Sequence, residues 1–161
     1  MNKTALLLLL ASPAIAFAQH SHGYIYVAPG AVTASLLGAR GSTATLQIGA
    51  GGEAILGKGI GVGAELGALF PRGNIEGSVG IFSLDGYYHF LHGQQKADPF
   101  FAAGYTLGFR GERANLFNFG GGVNYWFIPH LGIKAELRDQ VWTPSNATVH
   151  AWGFRFGLNF R

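Results

Sequence analysis

Along 150–161 the chain alternates strictly, with Trp152, Phe154, Phe156, Leu158 and Phe160 on one parity and Ala151, Gly153, Arg155, Gly157 and Asn159 on the other. A period of two places these sets on opposite faces of a β-strand. The same split between large apolar and glycine or charged positions recurs throughout. Leu46, Ile48, Ala50, Ala54 and Leu56 oppose Gln47, Gly49, Gly51 and Glu53, and Ile60, Val62, Ala64, Leu66 and Phe70 oppose Gly61, Gly63, Glu65 and Gly67. Further on, Phe101, Ala103, Tyr105, Leu107 and Phe109 oppose Gly104, Thr106 and Gly108; Phe117, Phe119, Val123, Tyr125 and Phe127 oppose Asn118, Gly120, Gly122 and Asn124. Leu131, Ile133, Ala135 and Leu137 likewise oppose Lys134, Glu136 and Arg138. Turn-forming clusters such as Gly57-Lys58-Gly59, Pro71-Arg72-Gly73-Asn74 and Pro129-His130 separate the runs. The pattern predicts eight strands near 23–29, 43–56, 60–70, 75–91, 99–110, 115–128, 131–142 and 148–160, joined as an antiparallel meander with a first loop over 30–42. In the fourth run Val79 and Ile81 are out of phase with Phe82, Leu84, Tyr88 and Phe90, and the pair is expected to point inward.

One face of nearly every strand is greasy and the other is too rich in glycine to cover a soluble protein. A soluble lipocalin-type carrier, with the same strand count, would hide the apolar set inside and offer glycine to water. The fold class predicted is therefore all-β, an eight-stranded antiparallel up-and-down transmembrane β-barrel following an N-terminal signal peptide. Aromatic residues bunch at run ends. With the N-terminus in the periplasm, Tyr24, Tyr26, Tyr88, Phe90, Phe100, Phe101, Tyr125, Phe127 and Phe160 form an inner band, and Phe70, Phe109, Phe117, Trp142 and Trp152 an outer one, as membrane interfaces favour. Facing inward, Glu53, Glu65, Asp85 and Glu136 meet Lys134, Arg138 and Arg155. An eight-stranded lumen is only wide enough for side chains, so these charges are expected to pair as a plug, with the inward glycines making room for them.

Composition narrows the class further. The 161 residues are 48% hydrophobic and 12% charged with 26 glycines, too apolar for an ordinary enzyme domain. With no cysteine, disulfides and thiolate metal sites are excluded, and a formal charge of +3 suggests no nucleic-acid partner. Lys3, the short apolar run 5–11, Pro13 and the small-x-small Ala16-Phe17-Ala18 predict a signal peptide over 1–18, leaving a barrel domain over 19–161. That apolar run falls well short of the ~20 residues a spanning helix needs.

Several short patterns invite a chemical reading. Residues 52–58 match most of a phosphate-binding loop, but Gly59 stands where a magnesium-binding Ser or Thr belongs and a strand follows where a helix is required. Ser83, Asp85 and His89 share a face of one strand, yet at ~3.3 Å per residue Ser83 and His89 lie too far apart to hydrogen-bond. His89 reads as an interfacial polar residue. His20 and His22, read as a disordered terminus, and His89 with His92 lack the carboxylate company of a metal site. No catalytic, cofactor or metal site is predicted. Basic residues at the outer turns, Arg40, Arg72 and Arg113, with Asn74 and Asn146 beside them, suit lipopolysaccharide phosphates.

The run Phe119-Gly120-Gly121-Gly122-Val123-Asn124-Tyr125-Trp126-Phe127, the turn Ile128-Pro129-His130-Leu131-Gly132, the segment Ile133-Lys134-Ala135-Glu136-Leu137-Arg138-Asp139 and the aromatic-ended last strand resemble the bacterial outer-membrane β-barrel domain proteins, relatives of the OmpA-like transmembrane barrels. The resemblance implies an outer-membrane location among lipids and lipopolysaccharide. It also implies insertion by the barrel-assembly machinery, for which Phe160 would be the aromatic signal, one residue before the end at Arg161. It implies no specific activity. The expectation is a non-catalytic barrel with a plugged, salt-bridged lumen, acting in envelope structure or surface contact; the alternatives are a narrow channel or small-ligand carrier and a lipid-modifying enzyme.

Overall fold

The computed structural model describes residues 20–36, 39–74, 76–91, 95–109, 113–144 and 147–161. The expected signal peptide, His92 and Asn146 lie outside the described residues. Eight strands, β1 (His20–Leu36), β2 (Ala39–Gly57), β3 (Ile60–Pro71), β4 (Val79–His89), β5 (Ala97–Phe109), β6 (Ala114–Ile128), β7 (Leu131–Trp142) and β8 (Ala147–Phe160), form a closed antiparallel barrel in sequence order. Antiparallel pairing of β8 with β1 closes the ring and removes both sheet edges.

Local chemistry explains where strands stop. Between β2 and β3, Lys58 (φ 52°) and Gly59 (φ 80°) form a two-residue turn with both φ values positive, the conformation that matches strand twist in a tight hairpin. The phosphate-loop lookalike is thus part of a hairpin. Pro129 and His130 make the equivalent two-residue link between β6 and β7.

The expected loop over 30–42 is instead strand. β1 and β2 stay paired out to Leu36 and Ala39, so this hairpin reaches farther than its neighbours. Pro29 does not end β1. It interrupts the ladder to β8, which is paired at Val27 and resumes at Gly30, because proline has no N–H to donate. At Gly30 any Cβ would sit 2.0 Å from the Trp152 carbonyl oxygen, so this glycine marks a close strand approach.

The apolar parity faces outward on every strand. Leu66, Leu84, Phe117, Phe154 and Phe156 are more than half exposed, an arrangement that suits lipid and not water. Inward placement of the β4 pair holds, with Ile81 buried and Val79 half-buried. Three members of the expected inner aromatic band are misplaced, since Tyr24, Tyr26 and Phe100 are buried in the lumen. Tyr24 lies opposite Gly51 and Tyr26 opposite Gly49, so each ring occupies the space its partner leaves free. Phe100 and Phe101 are adjacent and must face opposite ways; Phe101 takes the lipid side. Tyr88, Phe90, Phe101, Tyr125, Phe127 and Phe160 remain as the inner outward-facing aromatics.

Candidate functional site

Inward positions of all eight strands converge on one polar and aromatic interior. The seven charged side chains expected there, Glu53, Glu65, Asp85, Lys134, Glu136, Arg138 and Arg155, are all 1–4% exposed. Arg155 Nη1 donates to both oxygens of Glu65 at 2.8 Å, and its guanidinium lies 4.6 Å from the Tyr26 ring centre. Arg138 donates from Nη1 to Asp85 at 2.7 Å and to Asn118 Oδ1 at 3.0 Å, and from Nε to Glu136. Asn118 in turn donates to Asp85 at 2.8 Å and to Thr106 at 2.9 Å, so one amide serves guanidinium, carboxylate and hydroxyl together. Charge-assisted bonds of this kind are the strong ones, and the low dielectric of the interior makes each depend on the others.

Lys134 is held differently. Its ammonium lies 4.1 Å from the Tyr24 ring centre, 4.5 Å from Phe100 and 5.0 Å from Tyr87, with a Glu136 oxygen at 3.6 Å. Three ring faces thus replace part of the hydration this cation loses on burial. The Tyr24 hydroxyl donates to Glu65 at 2.8 Å and meets the Tyr87 hydroxyl at 3.0 Å, linking the aromatic group to the ion pairs.

Glu53 departs from the expected pairing with Lys134, Arg138 and Arg155. It bonds His89 Nε2 and lies 3.6 Å from His22 Nε2. The other His89 nitrogen meets Asp98 at 2.7 Å, so both ring nitrogens face carboxylates. His89 is fully buried and is not interfacial, and His22, expected in a disordered terminus, is buried on β1. Asp98, inside a segment expected to be mostly loop, is 1% exposed on β5. Extending the alternation of Phe100, Ala102, Gly104 and Thr106 back by one step would have found it.

Below these groups, toward the end carrying His20 and Arg161, the Arg161 guanidinium sits 3.8 Å from the Trp126 ring centre and Asn159 donates to Asn124 at 2.9 Å. Phe160 faces outward beside Arg161.

The Ser83 hydroxyl shares a 2.8 Å hydrogen bond with Thr106, and His89 is committed to Glu53 and Asp98, so no Ser83–His89 bond exists. Among the described residues no group of three or more His, Cys, Asp or Glu side chains is arranged to hold a metal ion. Arg40 is exposed on the long β1–β2 hairpin, Arg72 and Asn74 in the turn after β3, and Arg113 just before β6, all at the end opposite His20 and Arg161.

No family model and no curated protein matches the sequence. Solved structures do match in fold. The N-terminal β-barrel domain of Pseudomonas aeruginosa OprF superposes with a TM-score of 0.57 at 18% identity, over 86% of this chain and 97% of that one. Neisserial surface protein A gives 0.57 at 13% identity over 86% and 96%. The attachment invasion locus protein Ail of Yersinia pestis, solved with the heparin analogue sucrose octasulfate, gives 0.53 at 10% identity over 88% and 100%. The chain therefore has the eight-stranded barrel fold of bacterial outer-membrane proteins, in keeping with its apolar exterior.

Proposed function

We propose that this protein is a non-catalytic outer-membrane barrel whose lumen is plugged, and that it acts through its wall and outer turns in envelope structure or surface contact. The observation that carries the reading is the interior itself. Five carboxylates, Glu53, Glu65, Asp85, Asp98 and Glu136, are interleaved with Lys134, Arg138, Arg155 and His89, and Tyr24, Tyr26, Tyr87 and Phe100 fill the space between them. A conducting lumen needs a continuous polar path with unpaired groups to solvate ions; here each cation lies against a carboxylate or ring faces, although Lys134 Nζ, Arg138 Nη2 and Arg155 Nη2 make no hydrogen bond. The partners of this reading are outer-membrane lipids and lipopolysaccharide, with assembly by the barrel-assembly machinery through the Phe160 end.

At the outer end, Arg40, Arg72 and Arg113 project from three different hairpins and suit phosphate groups of lipopolysaccharide. Exposed arginine–phosphate contacts are modest singly and weaken with salt. Replacing Arg72 and Arg113 together by Gln is expected to weaken association of the refolded barrel with lipopolysaccharide at low salt without changing its unfolding midpoint. Unchanged association, or release of lipid acyl chains that depends on Ser83 and His89, would overturn this assignment.

A further inference from the structure

The outer wall carries one feature that a lipid-facing surface does not require. Among the described side chains at outward strand positions, Arg40, Asp139 and His150 are the only acidic, basic or imidazole groups, and Arg40 lies on the hairpin that reaches past the neighbouring strands. Asp139 and His150 find each other. They stand diagonally across the β7–β8 ladder, Asp139 opposite Trp152 and His150 opposite Val141, and His150 Nδ1 meets Asp139 Oδ2 at 2.7 Å. Ionisable groups on a barrel's lipid face are costly and point to function by default.

Depth and surroundings define what the pair can meet. Asp139 is three residues before the end of β7 at Trp142, and His150 three after the start of β8. That is roughly 10 Å of strand from the rim, beside Trp152, at the level where acyl chains give way to ester and hydroxyl groups. The pair borders a groove of about 510 Å³ lined by Thr33, Leu137, Asp139, His150, Trp152 and Phe154, polar toward the rim and apolar toward the bilayer centre. A second wall groove, of about 480 Å³, is lined by Ile25, Val27, Ile133, Phe156 and Leu158 and offers no comparable polar end.

The chemistry of the polar end selects the ligand. The Asp139 contact occupies Nδ1 and leaves Nε2 on the far side of the ring, with the His150 side chain 45% exposed. The second carboxylate oxygen, Asp139 Oδ1, is buried without a protein partner. Thr33, directly opposite His150 on β1, adds a hydroxyl whose contact with the Ser42 hydroxyl is long, at 3.5 Å, and which keeps capacity for a further bond. An acid next to an imidazole carries little net positive charge and is a poor phosphate site, unlike the rim arginines. It suits hydroxyl and ester oxygens.

We propose that this groove binds one acylated glycolipid of the outer leaflet, its acyl chain along Leu137 and Phe154 and its hydroxyl and ester groups on the His150–Asp139 pair and Thr33. The proposal rests on the outer-membrane placement above and uses neither Arg72, in the turn after β3, nor Arg113, in the turn before β6, the strand next to β7. Native mass spectrometry of the full barrel refolded in detergent, with hexa-acylated lipid A or with phosphatidylcholine added, tests it. Wild type is expected to retain one lipid A in preference to phosphatidylcholine. Asp139→Asn with His150→Phe should lower that retention at least tenfold, Thr33→Val should lower it less, and Leu84→Ala, on the wall of β4 across the barrel from β8, should keep it. Thr33→Val, which removes one hydroxyl, carries the test if the double variant fails to fold. Equal retention of phosphatidylcholine by wild type, or undiminished lipid A retention in the folded Asp139, His150 and Thr33 variants, would overturn the site.

Discussion

Arg138 bonds two carboxylates and an amide at once in the barrel interior, and its removal has a calculable cost. Replacing it by Met keeps most of the volume but takes the guanidinium from Asp85, at 2.7 Å, from Glu136 and from Asn118, while Arg138 itself is 1% exposed and water cannot easily substitute. Leaving buried carboxylates without their cation costs about 3–5 kcal/mol. The remaining bonds set where in that range the value falls. Asp85 keeps the Asn118 amide at 2.8 Å and Glu136 keeps Lys134 at 3.6 Å, so about 3 kcal/mol is expected. The assay is urea unfolding of the barrel in lipid vesicles, read by the shift between folded and unfolded bands on unheated gels. Adding Asp85→Asn should recover about 1–2 kcal/mol, because the change removes the charge that the first substitution stranded. A single variant within about 0.5 kcal/mol of wild type, or a double variant no better than the single, would show that the interior is hydrated enough to make these pairs irrelevant.

Two further perturbations separate wall from lumen. Leu66→Arg places a cation at a 59% exposed position midway along β3 and should destabilise the barrel in vesicles by about 2–4 kcal/mol, whereas a loss below about 1 kcal/mol would mean that this face does not meet the bilayer centre. Gly104→Ala puts a Cβ 2.2 Å from the Leu84 carbonyl oxygen and 2.3 Å from an Asp85 oxygen; refolding yield and unfolding midpoint should fall as for an overpacked core, about 1–3 kcal/mol, and a neutral result would contradict the inward register of β5 against β4.

Strand number and facing could be read from sequence because a period of two is a strong signal wherever one face is glycine or charge and the other is large and apolar. The signal failed where both parities are bulky. In Tyr24-Ile25-Tyr26-Val27 nothing within the strand says which set faces lipid; the answer lies in Gly49 and Gly51 on the neighbouring strand, which leave room for the rings. Breaker residues misled over 30–42, since Pro29 and Gly30 act there by interrupting one ladder and admitting a close strand, not by turning the chain. Formal charge directed attention to Lys134, Arg138 and Arg155, and so the histidine partners of Glu53 were missed. His89 meets Asp98 only nine residues away across the β4–β5 connection, but it meets Glu53 from a non-adjacent strand, a contact that depends on closure of the barrel. The Asp139–His150 pair was hidden for the opposite reason: outward positions were read for hydrophobicity, and two polar residues near the rim left the pattern intact.

Closure of the lumen by paired charges and aromatic rings is tested most directly by single-channel recording of the wild-type barrel in a planar bilayer. The proposed plug predicts a baseline with no steady open level across applied voltages, since Arg138 and Arg155 are paired with carboxylates and Lys134 sits in its ring cluster. A steady, large conductance from the unmutated protein would contradict it and establish a channel in place of the plug.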